Sequence, residues 1–389
     1  MATIAPVSTV MSNRKARIQA SPFRHLDPFL IVPVLIMNVL SLVMIYSSTR
    51  GKATLRGEAA FGDPFYYVKR QALFVMLGLI IMAVTILIDY RRLREWALGI
   101  YMLTVAMLAF VLTPLGSSVN GSQARFALGP FAIQPSEFAK FSVILMAAAY
   151  AAVHRGDMDV RRVVVVLGIA AIPLGLVMLQ PDLGTALVIG TIIIAVLGVA
   201  GVKARHLAVL ALIGVTGAVV AINVGVLEQY QVDRLTAFLD QNGDTQRSTY
   251  NLEQSKTAIG NGGLTGQGLF EGTQTSLGHV PEQHTDFIFT AVGEELGFLG
   301  AALLLSLFGM VVWRSWRTAA VSNDFFGALL CVGVVAMFSF QVFENVGMTM
   351  GIMPITGIPL PFMSYGGSSA FVSFACVGLV ANVSMRRFS

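Results

Sequence analysis

Long apolar blocks bounded by charged residues follow one another along the chain, without the 3.6-residue or two-residue alternation that would mark a single buried face. A helix needs about 20 residues to cross roughly 30 Å of hydrocarbon. Ten blocks of that order occur, near residues 28–48, 71–88, 96–114, 136–153, 163–179, 183–202, 207–226, 287–313, 325–350 and 367–385. Several contain Gly or Pro, which membrane helices tolerate where neighbouring groups satisfy the freed backbone. The pattern therefore predicts an all-α integral membrane protein of about ten transmembrane helices.

Composition agrees: 55% of the 389 residues are hydrophobic and 12% charged, against about 25% charged in soluble domains. With both termini placed in the cytoplasm, sixteen of the 26 Lys and Arg residues fall in inner segments, nine in outer ones, and Lys140 lies within a span. That bias predicts a multi-pass protein of the bacterial inner membrane with both ends inside. The net charge of +5 is then explained by topology and anionic lipid, and nucleic acid is not an expected partner. The expected organisation is a basic cytoplasmic segment over 1–27, a ten-helix membrane domain over 28–385, and a short cytoplasmic tail over 386–389. Residues 1–27 lead into the first span without a small-residue cleavage pattern, so the segment reads as retained. Cys331 and Cys376 lie in apolar spans as small hydrophobes, and neither a disulfide nor a zinc site is expected.

One connection is long. Leu227 to Thr285, between the seventh and eighth helices, reads as a large extracytoplasmic loop. Its Gly-rich part, Gly260 to Gly272, is interspersed with Ile259, Leu264, Leu269 and Phe270. Glycines there suit tight turns and close approach to a ligand, and equally a turn-rich cap over the bundle.

Ionisable residues inside spans are costly and each is a functional candidate. Glu137 and Lys140 are spaced i,i+3 after Pro135 and can pair on one helix face, either fixing register or lining a polar cavity. Asp182, in Gln180-Pro181-Asp182-Leu183-Gly184, suits a helix cap or a carboxylate at a cavity mouth. The densest polar run, Pro281-Glu282-Gln283-His284-Thr285-Asp286, closes the long loop and places Asp286 at the membrane surface. There Asp286 suits a general base, and Thr285 or Asp286 equally suits a helix cap. Glu294 is placed about 80° around the helix from Asp286 and Glu295 nearly opposite, so only Glu294 is expected to share a cavity with it. Glu344 and Asn345 read as a buried pair bonded to other helices. Gly351 to Ser369 mixes prolines with apolar residues, as a re-entrant or cavity-lining segment would.

Six ordered pieces of the chain resemble the SEDS family (shape, elongation, division and sporulation) of ten-helix peptidoglycan glycosyltransferases. They are Asn120-Gly121 through Arg125, Gln134-Pro135-Ser136-Glu137 with Lys140, Gln180 through Gly184, Pro281 through Phe287, Gly293-Glu294-Glu295-Leu296-Gly297, and Leu360-Pro361-Phe362 through Ser369. Asn345 to Gly351 resembles the elongation branch, RodA, more than the division branch, FtsW. Phe126 stands where the family usually has Trp, and Thr249-Tyr250-Asn251 replaces Gly-Tyr-Gln.

The resemblance implies polymerisation of lipid II, a disaccharide-pentapeptide on undecaprenyl diphosphate, into β-1,4-linked glycan during elongation and shape maintenance. It aligns Asp286 with the family's essential acidic residue. The leaving diphosphate needs positive charge, for which Arg125, Lys140, Arg234 and Lys256 are candidates. Glu137, Asp182, Glu282, His284, Thr285 and Ser364 complete the expected substrate-binding set. No cofactor is assigned, although a divalent cation, Mg or Mn, is a candidate for sharing the diphosphate charge. The implied partners are a class B penicillin-binding protein that crosslinks the strands and the elongation machinery. A flippase or transporter of the lipid-linked precursor is the rival reading, because intramembrane Glu, Lys and Asp suit that class too.

Overall fold

The computed structural model describes residues 26–50, 63–119, 122–128, 131–223 and 247–387. Most of the basic segment 1–27 and the first part of the long loop, with Arg234, lie outside the described residues. Ten long apolar helices occupy the ten predicted positions. They are α1 (Pro28–Arg50), α2 (Tyr66–Leu87), α3 (Tyr90–Val111), α4 (Pro135–Val153), α5 (Val160–Met178), α6 (Leu183–Val199), α7 (Ala204–Asn223), α10 (Ile288–Ala320), α11 (Phe325–Met350) and α12 (Gly367–Met385). Eight are long and apolar enough to span a membrane by length and composition, and α6 and α7 supply shorter apolar stretches. Two further helices, α8 (Arg247–Gly262) and α9 (Thr273–Leu277), belong to the long loop. The all-helical expectation needs one amendment. Residues 117–119, 122–128 and 131–133 pair as a three-stranded antiparallel sheet of β1 (Ser117–Val119), β2 (Ser122–Leu128) and β3 (Phe131–Ile133).

Local chemistry sets the helix ends. Asp89, Asp159, Asp182 and Asp324 each accept a backbone N–H of the helix they precede, as N-caps do. Pro135 opens α4, and Gly351, at φ 78°, ends α11 in the left-handed conformation. The last carbonyls of α2 are satisfied from α12: Asn382 donates to Thr85 O at 2.6 Å and to Ile88 O, and Arg386 donates to Ile86 and Leu87. Those carbonyls have no partner within their own helix and take one from α12.

α12 is the central helix, with 83% of its most apolar stretch buried, whereas α10 has 22% of its own buried and lies at the rim. Large apolar side chains point outward in rows: Phe29, Val32, Ile36 and Val39 on α1, Leu98, Met102 and Phe110 on α3, and Phe298, Leu303 and Trp313 on α10. A surface of that kind is suited to lipid.

α10 is broken at Gly297, whose φ of 63° and ψ of −163° interrupt the helix. The Gly-rich part of the long loop fills the break. Gln267 and Gly268 donate to the Glu294 and Glu295 carbonyls at 3.0 and 3.2 Å, and Phe298 and Leu299 donate to Gly263 and Leu264 at 2.9 and 3.1 Å. A side chain at Gly266 would collide with the Glu295 carbonyl, and one at Gly297 would collide with the loop backbone. The glycines thus permit backbone to meet backbone, and the exchange satisfies the groups the broken helix releases. The small residues Gly293 and Gly297, which suit helix–helix packing by their spacing, instead accept α8 and the loop.

Candidate functional site at one mouth of the bundle

Asp286 stands in the turn that joins the long loop to α10. The Glu282 carbonyl organises that turn, accepting from Thr285 N at 3.1 Å, Thr285 Oγ1 at 3.0 Å and Asp286 N at 3.2 Å. The N-cap position of α10 falls on Phe287, which makes no side-chain capping bond. Asp286 is half-buried. Its own carbonyl accepts from Asn345 Nδ2 at 2.8 Å, and the same amide donates to Ile358 O at 2.8 Å. One side chain in α11 therefore ties the Asp286 turn to the segment 351–366.

That segment is irregular and largely buried, and several helices hold it. Ser41 of α1 donates to Met363 O at 2.6 Å, and Thr356 donates to Glu344 at 2.9 Å. Gln71 of α2 donates to Ser364 O at 3.4 Å and accepts from Gly366 N at 3.3 Å. Irregular backbone at membrane depth needs such protein shielding. Ser364 is itself buried, and its hydroxyl accepts from Leu360 N at 2.8 Å within the turn. His284 is half-buried, with its ring centroid 4.7 Å from that of Tyr67 and 5.6 Å from that of Tyr365, while its carbonyl accepts from Tyr365 N at 2.9 Å.

A second polar cluster lies where α4, α6 and α12 begin. Asp182 caps Thr185 N at 2.9 Å and accepts from Thr185 Oγ1 at 2.9 Å, Ser136 Oγ at 3.0 Å and Gln134 Nε2 at 3.3 Å. Asp182 is therefore a helix cap, and its second oxygen also binds across to α4. Ser368, at the start of α12, accepts from Gln134 N at 2.9 Å. One turn further into α4, Lys140 meets Glu137 at 2.7 Å, with the two side chains 1% and 6% exposed.

Glu294 and Glu295 both serve the loop. Glu294 accepts from Gln274 N, Thr275 N and Thr275 Oγ1 at 2.7, 2.9 and 2.7 Å, holding the start of α9. Glu295 accepts from Ser47 and from Phe270 N at 3.1 Å. Of the expected diphosphate ligands, Arg125 is exposed on β2 and Lys256 is half-buried on α8. Among the described residues no three His, Cys, Asp or Glu side chains gather as a metal site, and no step below depends on a cation. Sequence reasoning passed over Tyr67, Arg70, Gln71 and Tyr365. The first three belong to a dense Tyr-Tyr-Val-Lys-Arg-Gln run at the start of α2, and Tyr365 lies within the Leu360 to Ser369 piece.

Fold and site together define a multi-pass membrane protein whose polar chemistry is gathered where the long loop, the segment 351–366 and the starts of α2, α4, α6 and α12 meet. A family model spanning FtsW, RodA and SpoVE, described as cell cycle protein, matches residues 28–388, and the chain belongs to that family. Stage V sporulation protein E of Bacillus subtilis is 37% identical over 362 residues, covering 92% of this chain and 96% of that protein. A probable peptidoglycan glycosyltransferase FtsW of Thioalkalivibrio sulfidiphilus is 38% identical over 380 residues, covering 94% and 91%. Among solved structures, a chain described under the structural coordination of polymerization and crosslinking by a peptidoglycan synthase complex superposes with a TM-score of 0.77 at 31% identity, covering 93% of this chain and 98% of that one. The rod shape determining protein RodA of Thermus thermophilus gives 0.68 at 29%, with the same coverage.

Proposed function

We propose that this protein is a peptidoglycan glycosyltransferase that joins lipid II units into β-1,4-linked strands at the outer face of the inner membrane. One observation carries the chemical part of the reading: Asp286 lies half-buried at the membrane end of the long loop, its turn tied by Asn345 and the α10 cap position left to Phe287. A carboxylate at headgroup level suits removal of the proton from the acceptor 4-hydroxyl. In that step the hydroxyl oxygen bonds to the anomeric carbon of the donor sugar, the bond from that carbon to the diphosphate breaks, and undecaprenyl diphosphate leaves. Glu282, His284 and Thr285 border Asp286 in sequence, and Ser364 shapes the facing turn. Asp182 and the Glu137–Lys140 pair would form the wall beyond Ser368.

The test is direct. Purified protein given lipid II should yield polymer resolvable on a gel, and transbilayer movement of lipid II without polymer would favour the flippase reading instead.

The Lys and Arg distribution supports cytoplasmic termini, which puts the Asp286 mouth outside. Cys331 and Cys376 are both buried, so a single cysteine placed at Gln267 gives a clean probe. It should react with an impermeant thiol reagent on intact cells, and reaction only after lysis would reverse the orientation.

A crosslinking partner, a class B penicillin-binding protein, is supported by the solved relative whose description joins polymerization to crosslinking. The assignment to elongation is carried by residues 345–351, while the relatives quoted above bear sporulation and division names. Depletion in the native cell should therefore produce rounding; filaments would assign the protein to division.

A further inference from the structure

Two adjacent cations open α2, and the structure treats them differently. Lys69 is exposed and paired with Asp63 at 2.7 Å, which holds that carboxyl below its ordinary range. Arg70 is half-buried, and among the described residues no carboxylate lies within ion-pairing distance of it. Its guanidinium donates to the Tyr66 hydroxyl at 2.7 Å and lies 5.2 Å from the centre of the Tyr66 ring, which packs edge-on to the Tyr67 ring at 5.4 Å. Tyr67 packs in turn on Tyr365 at 5.2 Å and on His284 at 4.7 Å, two residues before Asp286. A half-buried guanidinium held by one tyrosine hydroxyl keeps most of its five N–H donors for another acceptor. Nature of the acceptor follows from the donor: a planar fork of this kind suits two phosphate oxygens at once.

We infer that Arg70, held by Tyr66 beside the aromatic cluster, is the binding group for the diphosphate of a lipid-linked sugar, and that the Tyr67, His284 and Tyr365 rings flank the sugar nearest it. This rests on the proposed polymerase reading and adds a substrate-binding residue to it. The arrangement has a consistent logic. Aromatic rings with polar tips are at home at the membrane interface, where a lipid-linked diphosphate lies. The site also puts positive charge on the Asp286 side of the bundle mouth, where the leaving group gains negative charge.

The experiment compares wild type, Arg70→Lys, Arg70→Gln, Tyr365→Phe and Asp286→Asn, each purified in full length and held in zwitterionic lipid at matched thermal stability. Lipid II binding is measured beside polymerisation, with undecaprenyl diphosphate, inorganic diphosphate and undecaprenol as competitors. Arg70→Gln should weaken lipid II and undecaprenyl diphosphate about 10- to 100-fold, the worth of a charged hydrogen-bonding group. Arg70→Lys should recover part of that loss, Asp286→Asn should bind normally, and undecaprenol should compete poorly throughout. Competition by inorganic diphosphate would show that the headgroup alone suffices; its failure beside effective undecaprenyl diphosphate would show that the lipid is also needed, and either result supports the site. Tyr365→Phe removes a hydroxyl from the same aromatic cluster without removing the charge, so a packing role for Arg70 predicts equal losses in Tyr365→Phe and Arg70→Gln. That result, unchanged competitor affinity in Arg70→Gln, or an effect that requires anionic phospholipid would each overturn the inference. Absence of polymer from wild type, with Arg70-dependent diphosphate binding intact, would sink the polymerase reading and leave the diphosphate site standing.

Discussion

Purified Asp286→Asn protein is expected to form glycan strands from lipid II roughly 10²–10⁴ times more slowly than wild type, the usual contribution of a positioned acid or base. The substitution keeps the side chain's shape and removes its charge and nearly all its basicity. Folding should survive, because the turn is held through main-chain groups: Asp286 N to Glu282 O, and Asp286 O to Asn345. A capping carboxylate would behave differently, since Asn caps about as well as Asp and activity would persist. The measurement is polymer per unit protein at matched thermal stability, with lipid II binding followed separately. Slow polymerisation with binding intact places Asp286 in the chemical step, and near-normal polymer removes it from the role of base.

The second large effect is on stability. Lys140→Ala leaves the Glu137 carboxylate without its 2.7 Å partner in a position only 6% exposed. Breaking a buried pair from one side costs about 3–5 kcal/mol, a large share of an ordinary folding free energy. The variant should therefore show a markedly lower melting temperature in detergent, or appear at reduced level in the membrane. Exchanging the charges, with Glu137→Lys and Lys140→Glu together, separates two roles. A structural pair should regain much of the lost stability and activity, because the attraction is kept. Recovered stability with activity still absent would instead mean that one of these charges faces the substrate.

The ten helices were legible because a membrane span is a local requirement. Each needs about 20 successive apolar residues and closes its own backbone bonds, so neither its presence nor its approximate ends depend on distant residues. Asp182 was legible as a cap for the same reason, since a cap acts on the turn that follows it; Asp89, Asp159 and Asp324 do likewise but were not read from the sequence, where two of those spans were placed several residues late. The sheet at 117–133 escaped notice because its strands of three, seven and three residues offer too short a pattern between two apolar spans.

The roles of the polar residues divide along the same line. Glu137 and Lys140 lie on one turn of one helix, and their spacing alone brought them together. Helical geometry placed Glu294 near the direction of Asp286, yet it binds α9, and Glu295 holds Phe270, because the break at Gly297 brings the Gly-rich loop against both. The sequence by itself determined a multi-pass membrane protein, its ten helices and an acidic residue where the long loop enters the membrane. Tertiary structure alone decided what surrounds the turn holding that residue: Asn345 reaches the Asp286 carbonyl from 59 residues away, and Tyr67 and Tyr365 pack on His284 from other elements. Apolar spacing is written along the chain, whereas the partner of a buried polar group is whichever donor or acceptor the packed helices bring within about 3 Å, and no local pattern encodes that choice.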